Sequence, residues 1–332
     1  MKLYAGIDLH SNNSYVVLSY KKRLANDAKV IVGALAPYHE RITGIVVEST
    51  YNWYWLVDQL QAENYRVHLA NTTAIQQYSG LKHTNDKTDA IWLAKLLRLN
   101  LLPEGYIYPR EERGLRELLR RRLILVRQQT MSVLGIQAMI TRYDNLKIGA
   151  KSIKNCKNKE EISNLITDAD VRIAAQSQLN VLYCIVDQVA LLEKNILMKI
   201  EDEADFIFLK KIPGFGPILA MTILLETGDI SRFSKPGNYS SYCRCVESKC
   251  ISNAKKKGQN NRKNGNAYLG WAFVEAANAA IRHYEPIKKF YQRKLEKTKR
   301  VVAIKTIANK LSKACYFILR DKVEFDMKKL FN

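Results

Sequence analysis

Four carboxylates in the first ninety residues have the types and spacing needed to bind metal ions. Asp8 lies in a run of β-forming residues and Glu48 closes another, while Asp86 and Asp89 lie three residues apart where a helical pattern begins. Residues three apart in a helix share one face. Hard oxygen donors of this kind suit Mg²⁺ or Mn²⁺, which bind through few carboxylates together with substrate phosphate. Two such ions, about 4 Å apart, clamp the attacking and leaving oxygens of a phosphoryl transfer.

Each of these acids also has a simpler interpretation when it is taken alone. Asp86 suits a helix cap, Asp89 a solvated helix position, Glu48 a strand end and Asp8 a turn. The order of the four along the chain favours a joint site, since an acid in a first strand is followed by one that closes a later strand and by an Asp-x-x-Asp that opens a helix.

The elements that must position the acids form an α/β unit. Residues 3–9 and 14–20 are rich in β-formers and flank a polar turn, so they predict an antiparallel hairpin. Residues 45–48 and 65–69 predict two further strands, with a helical pattern over 53–61 between them, which indicates a parallel pair. If the strands of Asp8 and Glu48 are neighbours, the two carboxylates converge.

Helix caps punctuate this unit. Asn26 and Asp27 can cap a short helix that Pro37 helps to end, and Thr84 or Asn85 can cap the helix that begins with the paired aspartates.

The remainder of the chain is mostly helical in pattern. Residues 111–143 and 174–202 predict two long helices, and the polar, lysine-rich stretch 147–161 between them predicts a loop or hairpin tip, so the pair forms an antiparallel arm. Gly214 and Gly216 precede a helix and could offer backbone amides to a DNA phosphate, although a simple turn between helices has the same pattern. Residues 266–320 are helical in pattern throughout, with an apolar stripe that predicts core packing.

Composition favours a polyanionic partner. The 332 residues carry 53 Lys and Arg against 32 Asp and Glu, a formal charge of +21 with a pI near 9.6, which favours nucleic acid over membrane. No apolar run approaches the about 20 residues that cross a bilayer, and Asp8 would interrupt the core of a signal peptide. We expect a cytoplasmic protein. The six cysteines lack disulfide or zinc-ribbon spacing, and Cys243, Cys245 and Cys250 lack a fourth ligand nearby, so free thiols are expected.

Several motifs together resemble one family. GIDLH at 6–10, VVEST at 46–50 and KHTNDKTDA at 82–90 look like motifs of the DEDD insertion-sequence transposases, and the resemblance continues through IPGFG at 212–216, SNAKKKG at 252–258, KNGN at 263–266 and residues 303–313. These enzymes are bridge-RNA-guided recombinases related to the pilin-gene invertase. The resemblance covers nearly the whole chain.

The resemblance implies an α/β plus α architecture in three domains. Residues 1–105 would form a RuvC-like domain of ribonuclease H fold with the DEDD site, residues 106–205 a helical coiled-coil arm, and residues 206–332 a mostly helical transposase domain with a helix-hairpin-helix-like segment and a nucleophilic serine. A long helical arm is also a natural device for assembly. We therefore expect a homodimer that assembles into a homotetramer.

The serine that matches the family motif is Ser252. The resemblance implies that Ser252 attacks a DNA phosphodiester to form a covalent phosphoserine, while Asp8, Glu48, Asp86 and Asp89 hold Mg²⁺, or Mn²⁺, at the same phosphate. It implies donor DNA, target DNA and a structured guide RNA as partners, in a bacterial or archaeal cytoplasm near the nucleoid. From the residues alone Ser252 is an ordinary loop serine, and Ser248 is the alternative. The neighbouring cations that would contact phosphates are Lys255, Lys256, Lys257, Arg262 and Lys263.

Two features depart from the family pattern. Ala254 stands where a glycine is expected, which bears on the loop geometry beside Ser252, and the segment between Tyr20 and Asn26 is short for a third strand. We place His10 and His83 outside the metal ligands, since a lone histidine is more often structural.

Alternative interpretations remain for the aromatic residues and for the whole chain. The aromatic cluster could stack on unpaired bases, or pack a helix on the sheet. The function alternatives are a metal-dependent junction resolvase or nuclease without a covalent intermediate, and a non-enzymatic nucleic-acid-binding scaffold. The cluster consists of Tyr51, Trp53, Tyr54 and Trp55.

Overall fold

The structure is a computed structural model that describes residues 2–18, 21–75, 85–259 and 263–331. Its contacts divide the chain into two compact units. The first comprises Met1–Arg110 together with Ser248–Asn264, and the second comprises Glu111–Glu247 together with Gly265–Asn332. The described residues of 248–264 therefore pack with the N-terminal part of the chain, although they are far from it in sequence.

A six-stranded mixed sheet forms the centre of the first unit, with the order β3-β2-β1-β4-β5-β6. Strands β1 to β3 pair antiparallel in sequence, whereas β1, β4 and β5 run parallel, as their helical connections allow. The edge strand β6 is antiparallel to β5. The strands are β1 Leu3–Leu9, β2 Asn13–Val17, β3 Lys21–Ala25, β4 Ile42–Glu48, β5 Val67–Ala70 and β6 Glu104–Gly105.

Three helices cover the two faces of this sheet. Helix α1, Ala28–Leu35, begins at its cap Asp27 and continues into a 3₁₀ turn, and α2 is Tyr54–Ala62. Both pack against alternate residues of β1, among them Ile7. Helix α3, Asp86–Arg98, lies on the opposite face and buries Leu93 and Leu97 against β4 and β5. Because side chains alternate along a strand, Asp8 lies on the α3 face.

The structure confirms the predicted hairpin, the parallel pair and the caps Asp27 and Asn85, and it corrects the expectation about the third strand. Residues 21–25 form β3 and pair with β2 along their whole length, so the segment is long enough for a five-residue strand. Thr84, the other predicted cap, and His83 lie outside the described residues.

Two long helices dominate the start of the second unit. Helix α4 is Arg110–Asp144 and α7 is Ala169–Ile200. They run antiparallel, since Arg122 pairs with Glu193 whereas the later Gly135 lies against the earlier Gln178. The stretch 147–161, predicted as a loop, instead contains α5, Ala150–Lys154, and the start of α6, Lys159–Asn164, because Ile153 and Ile162 are buried between the long helices.

The rest of the second unit is a helical core. Its helices are α8 Ala204–Lys210, α9 Pro217–Thr227, α10 Pro236–Tyr242, α11 Ala267–His283, α12 Glu285–Leu295, α13 Arg300–Asp321 and α14 Met327–Phe331. The tail predicted as helical throughout is therefore broken, and α12 begins with Pro286 in its first turn.

The centre of this core contains a buried charge cluster. Glu226 is fully buried, accepts hydrogen bonds from the guanidinium groups of Arg116 and Arg120, and also accepts one from Asn266, which caps α11. Burial opposes ionisation of Glu226, but the two arginines outweigh it and hold the pKa of this carboxyl below its ordinary value.

One helix of the described residues, α4, is long and apolar enough to cross a membrane by length and composition. A core helix of a water-soluble protein passes the same test, and α4 buries Ile136 and Ile140 against α7 and its neighbours. The expectation that no segment spans a membrane therefore stays a prediction.

Candidate active site

The parallel pairing of β1 and β4 brings the first two acids together. Ile7 lies opposite Val47 in this register, so the next residue of each strand is a carboxylate, Asp8 on β1 and Glu48 on β4. Both lie on the face covered by α3. Asp8 is almost fully buried, and Glu48 is partly buried at the strand end.

Helix α3 adds the other two acids through an unusually close approach to β1. A Cβ atom added to Gly6 would lie 2.0 Å from the carbonyl oxygen of Ala90, so only glycine at this strand position allows the helix to lie so near. The start of α3 is fixed by a capping box, in which Asn85 and Thr88 exchange hydrogen bonds between side chain and backbone. Asp86 and Asp89 therefore lie in the first turn, over the end of β1.

The four carboxylates interact with one another. The pKa of Glu48 is raised from its ordinary 4.5 to about 8, first by burial, then by a hydrogen-bonding contact with Asp8, and then by the negative charges of Asp8, Asp89 and Asp86. Like charges held this close do not ionise together without a compensating cation. The structure thus brings together all four acids that the sequence singled out.

His10 also belongs to this cluster. Its Nε2 lies 3.2 Å from Asp8 Oδ2 and 3.3 Å from Asp86 Oδ2, and these three residues can direct ligand atoms to within 4.8 Å of one another. Neither carboxylate oxygen is aligned to accept a hydrogen bond from the ring. We expected His10 to lie outside the metal ligands, and the structure places its ring beside two of the four acids.

The residues present fit a divalent cation. Asp8 Oδ1 is buried and has no hydrogen-bond partner within the described ranges, a costly state for a charged oxygen unless a cation compensates it. The four acids supply hard carboxylate oxygens, the donors preferred by Mg²⁺ or Mn²⁺. Asp8, Glu48, Asp86 and Asp89 would hold the cation, which when bound polarises phosphate oxygens and neutralises developing negative charge.

Ser252 closes a strand that the sequence did not predict. Strands β7, Cys250–Ser252, and β8, Lys255–Gly258, form an antiparallel hairpin in which Ser252 pairs with Lys255. The two connecting residues, Asn253 and Ala254, have φ of 50° and 56°, the signature of a type I′ turn. This explains why a glycine is expected at 254, since a side chain is disfavoured at positive φ.

The hairpin belongs to the same compact unit as the acids. Asn264, at the end of the returning segment, lies 3.3 Å from Asn71 Nδ2 and from Thr73 Oγ1. These two residues follow β5, whose Ala70 lies opposite Glu48. The segment therefore returns to the carboxyl ends of β4 and β5, where Glu48 lies. The Ser252 side chain is exposed, and no contact between it and the acids occurs within the described part of the chain.

The predicted phosphate contacts lie around this hairpin. Lys255, Lys257 and Lys263 are exposed there, and the backbone of Lys256 lies in β8. Arg262 lies outside the described residues. Ser248, the alternative nucleophile, is partly buried just before β7.

Close packing against α11 accounts for one of the two glycines of the Gly-x-Gly turn. Gly214 has φ of 84°, and a Cβ there would lie 2.1 Å from the carbonyl oxygen of Ala276 in α11. Gly216 is exposed and precedes the first residue of α9. Packing accounts for Gly214, whereas Gly216 leaves an exposed helix N-terminus, so phosphate binding at this turn stays a prediction.

The aromatic cluster contains both buried and exposed side chains. Trp53 is buried and Trp55 packs against the sheet core, whereas Tyr51 is 85% exposed. All six cysteines are free in the structure. Cys243 and Cys245 are buried, and burial raises the pKa of the Cys245 thiol to about 12.

Sequence reasoning missed the residues that fix His10. Its carbonyl oxygen accepts hydrogen bonds from Asn26 Nδ2 at 2.7 Å and Asn52 Nδ2 at 3.1 Å. Asn26 in turn accepts from Ser14, and Asn52 accepts from Thr50. Asn52 lies four residues after Glu48, a position close enough to the motif to have drawn attention.

A six-stranded mixed sheet carrying four clustered acids is compatible with a RuvC-like DEDD domain, a class of nuclease domain that uses divalent metals. Two family models match the chain. A DEDD transposase model of the IS110 type, described as "Transposase", matches residues 5–144, and the model "Transposase IS116/IS110/IS902 family" matches residues 208–292. No curated protein matches the sequence. The chain belongs to the DEDD insertion-sequence transposases and is an enzyme that acts on DNA.

Proposed function

We propose that this transposase catalyses RNA-guided cleavage and exchange between donor and target DNA through a covalent phosphoserine at Ser252. The observation that carries the proposal is the presence, in one compact unit, of four clustered carboxylates and a serine-bearing hairpin. The acids supply the metal site, and the hairpin supplies a nucleophile that a water-activating nuclease does not need.

In the proposed step, Ser252 Oγ forms a bond to the phosphorus of a DNA phosphodiester while the bond from phosphorus to one sugar oxygen breaks. The serine hydroxyl loses its proton and the leaving sugar oxygen gains one, so the exchange is balanced and the phosphodiester energy is kept in the protein link. A serine hydroxyl is a weak nucleophile that requires activation. Nearby lysine charge supports this step by stabilising negative charge on the phosphate.

Substrate binding follows from charge. The net charge of +21 and the exposed lysines of the hairpin support phosphate contacts with both DNA and a structured guide RNA. If base pairing with a guide selects the sites, the protein needs to recognise mainly shape and backbone. The cofactor we propose is Mg²⁺, with Mn²⁺ as a substitute, and the proposed location is the bacterial or archaeal cytoplasm near the nucleoid.

The helical arm supports assembly into a dimer and then a tetramer. Helices α4 and α7 carry large apolar side chains on their outer faces, including Met131, Leu134, Leu191 and Met198, each more than half exposed. We keep the proposed domains 1–105, 106–205 and 206–332, with residues 248–264 serving the site of the first domain.

The test is a search for a covalent adduct. The full chain is incubated with Mg²⁺, its co-purifying RNA and DNA from the locus that encodes it, and the products are separated under denaturing conditions with and without protease. We expect a protease-sensitive protein–DNA adduct in the wild type and in Ser248→Ala, and its loss in Ser252→Ala. An adduct that persists in Ser252→Ala would overturn the serine assignment.

The acid cluster also favours one alternative, a metal-dependent nuclease that uses water as its nucleophile. It predicts free cleaved ends, no adduct, and full cleavage by Ser252→Ala. Sequencing the RNA that co-purifies tests the guide separately, because a discrete structured RNA supports it and random cellular RNA contradicts it.

A further inference from the structure

We infer that His10 is a fifth ligand of the acid cluster, a nitrogen donor that binds the same cation as Asp8 and Asp86 and shifts the preference of the site from Mg²⁺ towards Mn²⁺. The inference rests on the proposed metal site and adds to it a residue and a metal preference.

The distances around His10 agree with those between atoms that bind one cation. Two donors that each lie about 2.1 Å from one ion are about 3.0 Å apart in an octahedral site and about 3.4 Å apart in a tetrahedral one. His10 Nε2 lies 3.2 Å from Asp8 Oδ2 and 3.3 Å from Asp86 Oδ2. A hydrogen-bonded histidine would align its N–H with one oxygen, and His10 aligns with neither.

The buried oxygen of Asp8 is an independent sign of a ligand. The Asp8 side chain is only 3% exposed, and its Oδ1 has no hydrogen-bond partner in the described portion of the protein. No donor in that portion is aligned with this oxygen, and a cation that enters the cluster would satisfy it. The other oxygen of the same carboxylate, Oδ2, lies 3.2 Å from His10 Nε2, so a cation bound by Asp8 would lie close to His10.

The backbone of His10 is held as firmly as a ligand requires. Its amide donates to the carbonyl oxygen of Asn13, and its own carbonyl oxygen accepts hydrogen bonds from Asn26 and Asn52, which come from two different parts of the chain. Such supporting hydrogen bonds orient metal ligands and tune their affinity.

A nitrogen ligand has a chemical consequence. Imidazole suits transition metals, whereas Mg²⁺ prefers oxygen donors throughout its coordination shell. We therefore expect His10→Gln to weaken Mn²⁺ binding about tenfold while Mg²⁺ binding changes much less.

Pulsed electron paramagnetic resonance of Mn²⁺ bound to the full chain tests the inference, because a coordinated imidazole gives a ¹⁴N coupling. We expect this coupling in the wild type and in the control His39→Gln, whose ring lies against Glu63 and Tyr65, and its loss in His10→Gln. Titration calorimetry of each variant with Mn²⁺ and with Mg²⁺ measures the preference.

The outcomes separate the inference from the proposed function. Mn²⁺ that binds in an Asp8-dependent manner but without ¹⁴N coupling, or with a coupling that survives in His10→Gln, overturns the role of His10 and leaves the acid site intact. Mn²⁺ binding that is the same in Asp8→Asn as in the wild type overturns the metal site itself, and the role of His10 with it.

Discussion

Gly6→Ala is the perturbation that tests most directly how the fold assembles the acid cluster. The added Cβ would lie 2.0 Å from the carbonyl oxygen of Ala90 and 3.0 Å from the amide nitrogen of Ala94, both in the backbone of α3. Real contacts of this kind do not fall below 3.0 Å, so α3 must move away from β1 by about 1 Å. Backbone atoms cannot give way as a flexible side chain can.

The magnitude follows from that displacement. Inserting a methyl group into packed structure costs about 1–3 kcal/mol, which lowers the melting temperature by several degrees. Asp86 and Asp89 move with α3 while Asp8 and Glu48 stay on the sheet, so the two halves of the acid site separate. A shift of about 1 Å in a reacting group costs about 100-fold in rate.

Three measurements check the prediction. Thermal unfolding of the metal-free chain gives the stability, calorimetry gives the Mn²⁺ affinity, and adduct formation gives the rate. Gly33→Ala is the matched control, because a Cβ at Gly33 in α1 meets nothing within 4 Å and should stabilise that helix by about 0.5–1 kcal/mol. If Gly6→Ala binds Mn²⁺ and forms the adduct as the wild type does, the close approach of α3 does not position the site.

Further predictions concern charge, strain and substrate contacts. The folded-state pKa of Glu48 is raised to about 8, so the unfolded chain releases that proton at lower pH and the metal-free protein loses stability as pH rises from about 4.5 to about 8. In EDTA, Glu48→Gln should therefore have a higher melting temperature than the wild type. The difference should grow over this pH range and be absent below pH 4.5. Glu226→Gln should cost about 3–5 kcal/mol in denaturant unfolding, since it leaves buried arginine charge without its partner, whereas Glu117→Gln on the surface should cost less than about 1 kcal/mol; equal costs would contradict the burial argument. Ala254→Gly should stabilise the β7–β8 hairpin by about 0.5–1 kcal/mol, because glycine adopts positive φ without strain, and slower amide hydrogen exchange in that hairpin is the measurement. Lys257→Gln should weaken DNA binding similarly across sequences and lower the slope of log affinity against log salt by about 1; an unchanged slope would show that this lysine contacts no phosphate.

Much of the acid site could be predicted from the sequence because the positions of its residues within one strand or one helix turn follow from local spacing. Strand alternation assigns Asp8 to one face, and helical spacing places Asp86 and Asp89 on one turn. The prediction that Asp8 and Glu48 converge required β1 and β4 to be neighbours. The two strands do pair in parallel, with Ile7 opposite Val47.

The features that sequence reasoning missed depend on contacts between distant residues. His10 was placed outside the ligands because a lone histidine is more often structural, and its backbone is held by Asn26 and Asn52, which lie 16 and 42 residues away. The β7–β8 hairpin was missed because lysines and a short length hide a strand signal, and its turn contains Asn-Ala in place of the Asn-Gly that marks such turns. The short helices near Ile153 and Ile162 form because those side chains are buried between α4 and α7. The polar residues around them led to the prediction of a loop.

The excursion of residues 248–264 has a consequence for dissecting the protein. The chain leaves and re-enters the helical unit at nearly one point, where the amide of Asn266 donates to the carbonyl oxygen of Tyr242 at 2.6 Å and Arg244 binds the carbonyl oxygen of Gly265. Closing a loop of this length costs on the order of 2–3 kcal/mol of conformational free energy. This cost lowers the stability of the helical unit, although the loop belongs to the first unit. A single cut near residue 110 would therefore separate two fragments of which the first lacks the serine hairpin, and reconstitution by mixing would require that hairpin to find its place from the other fragment.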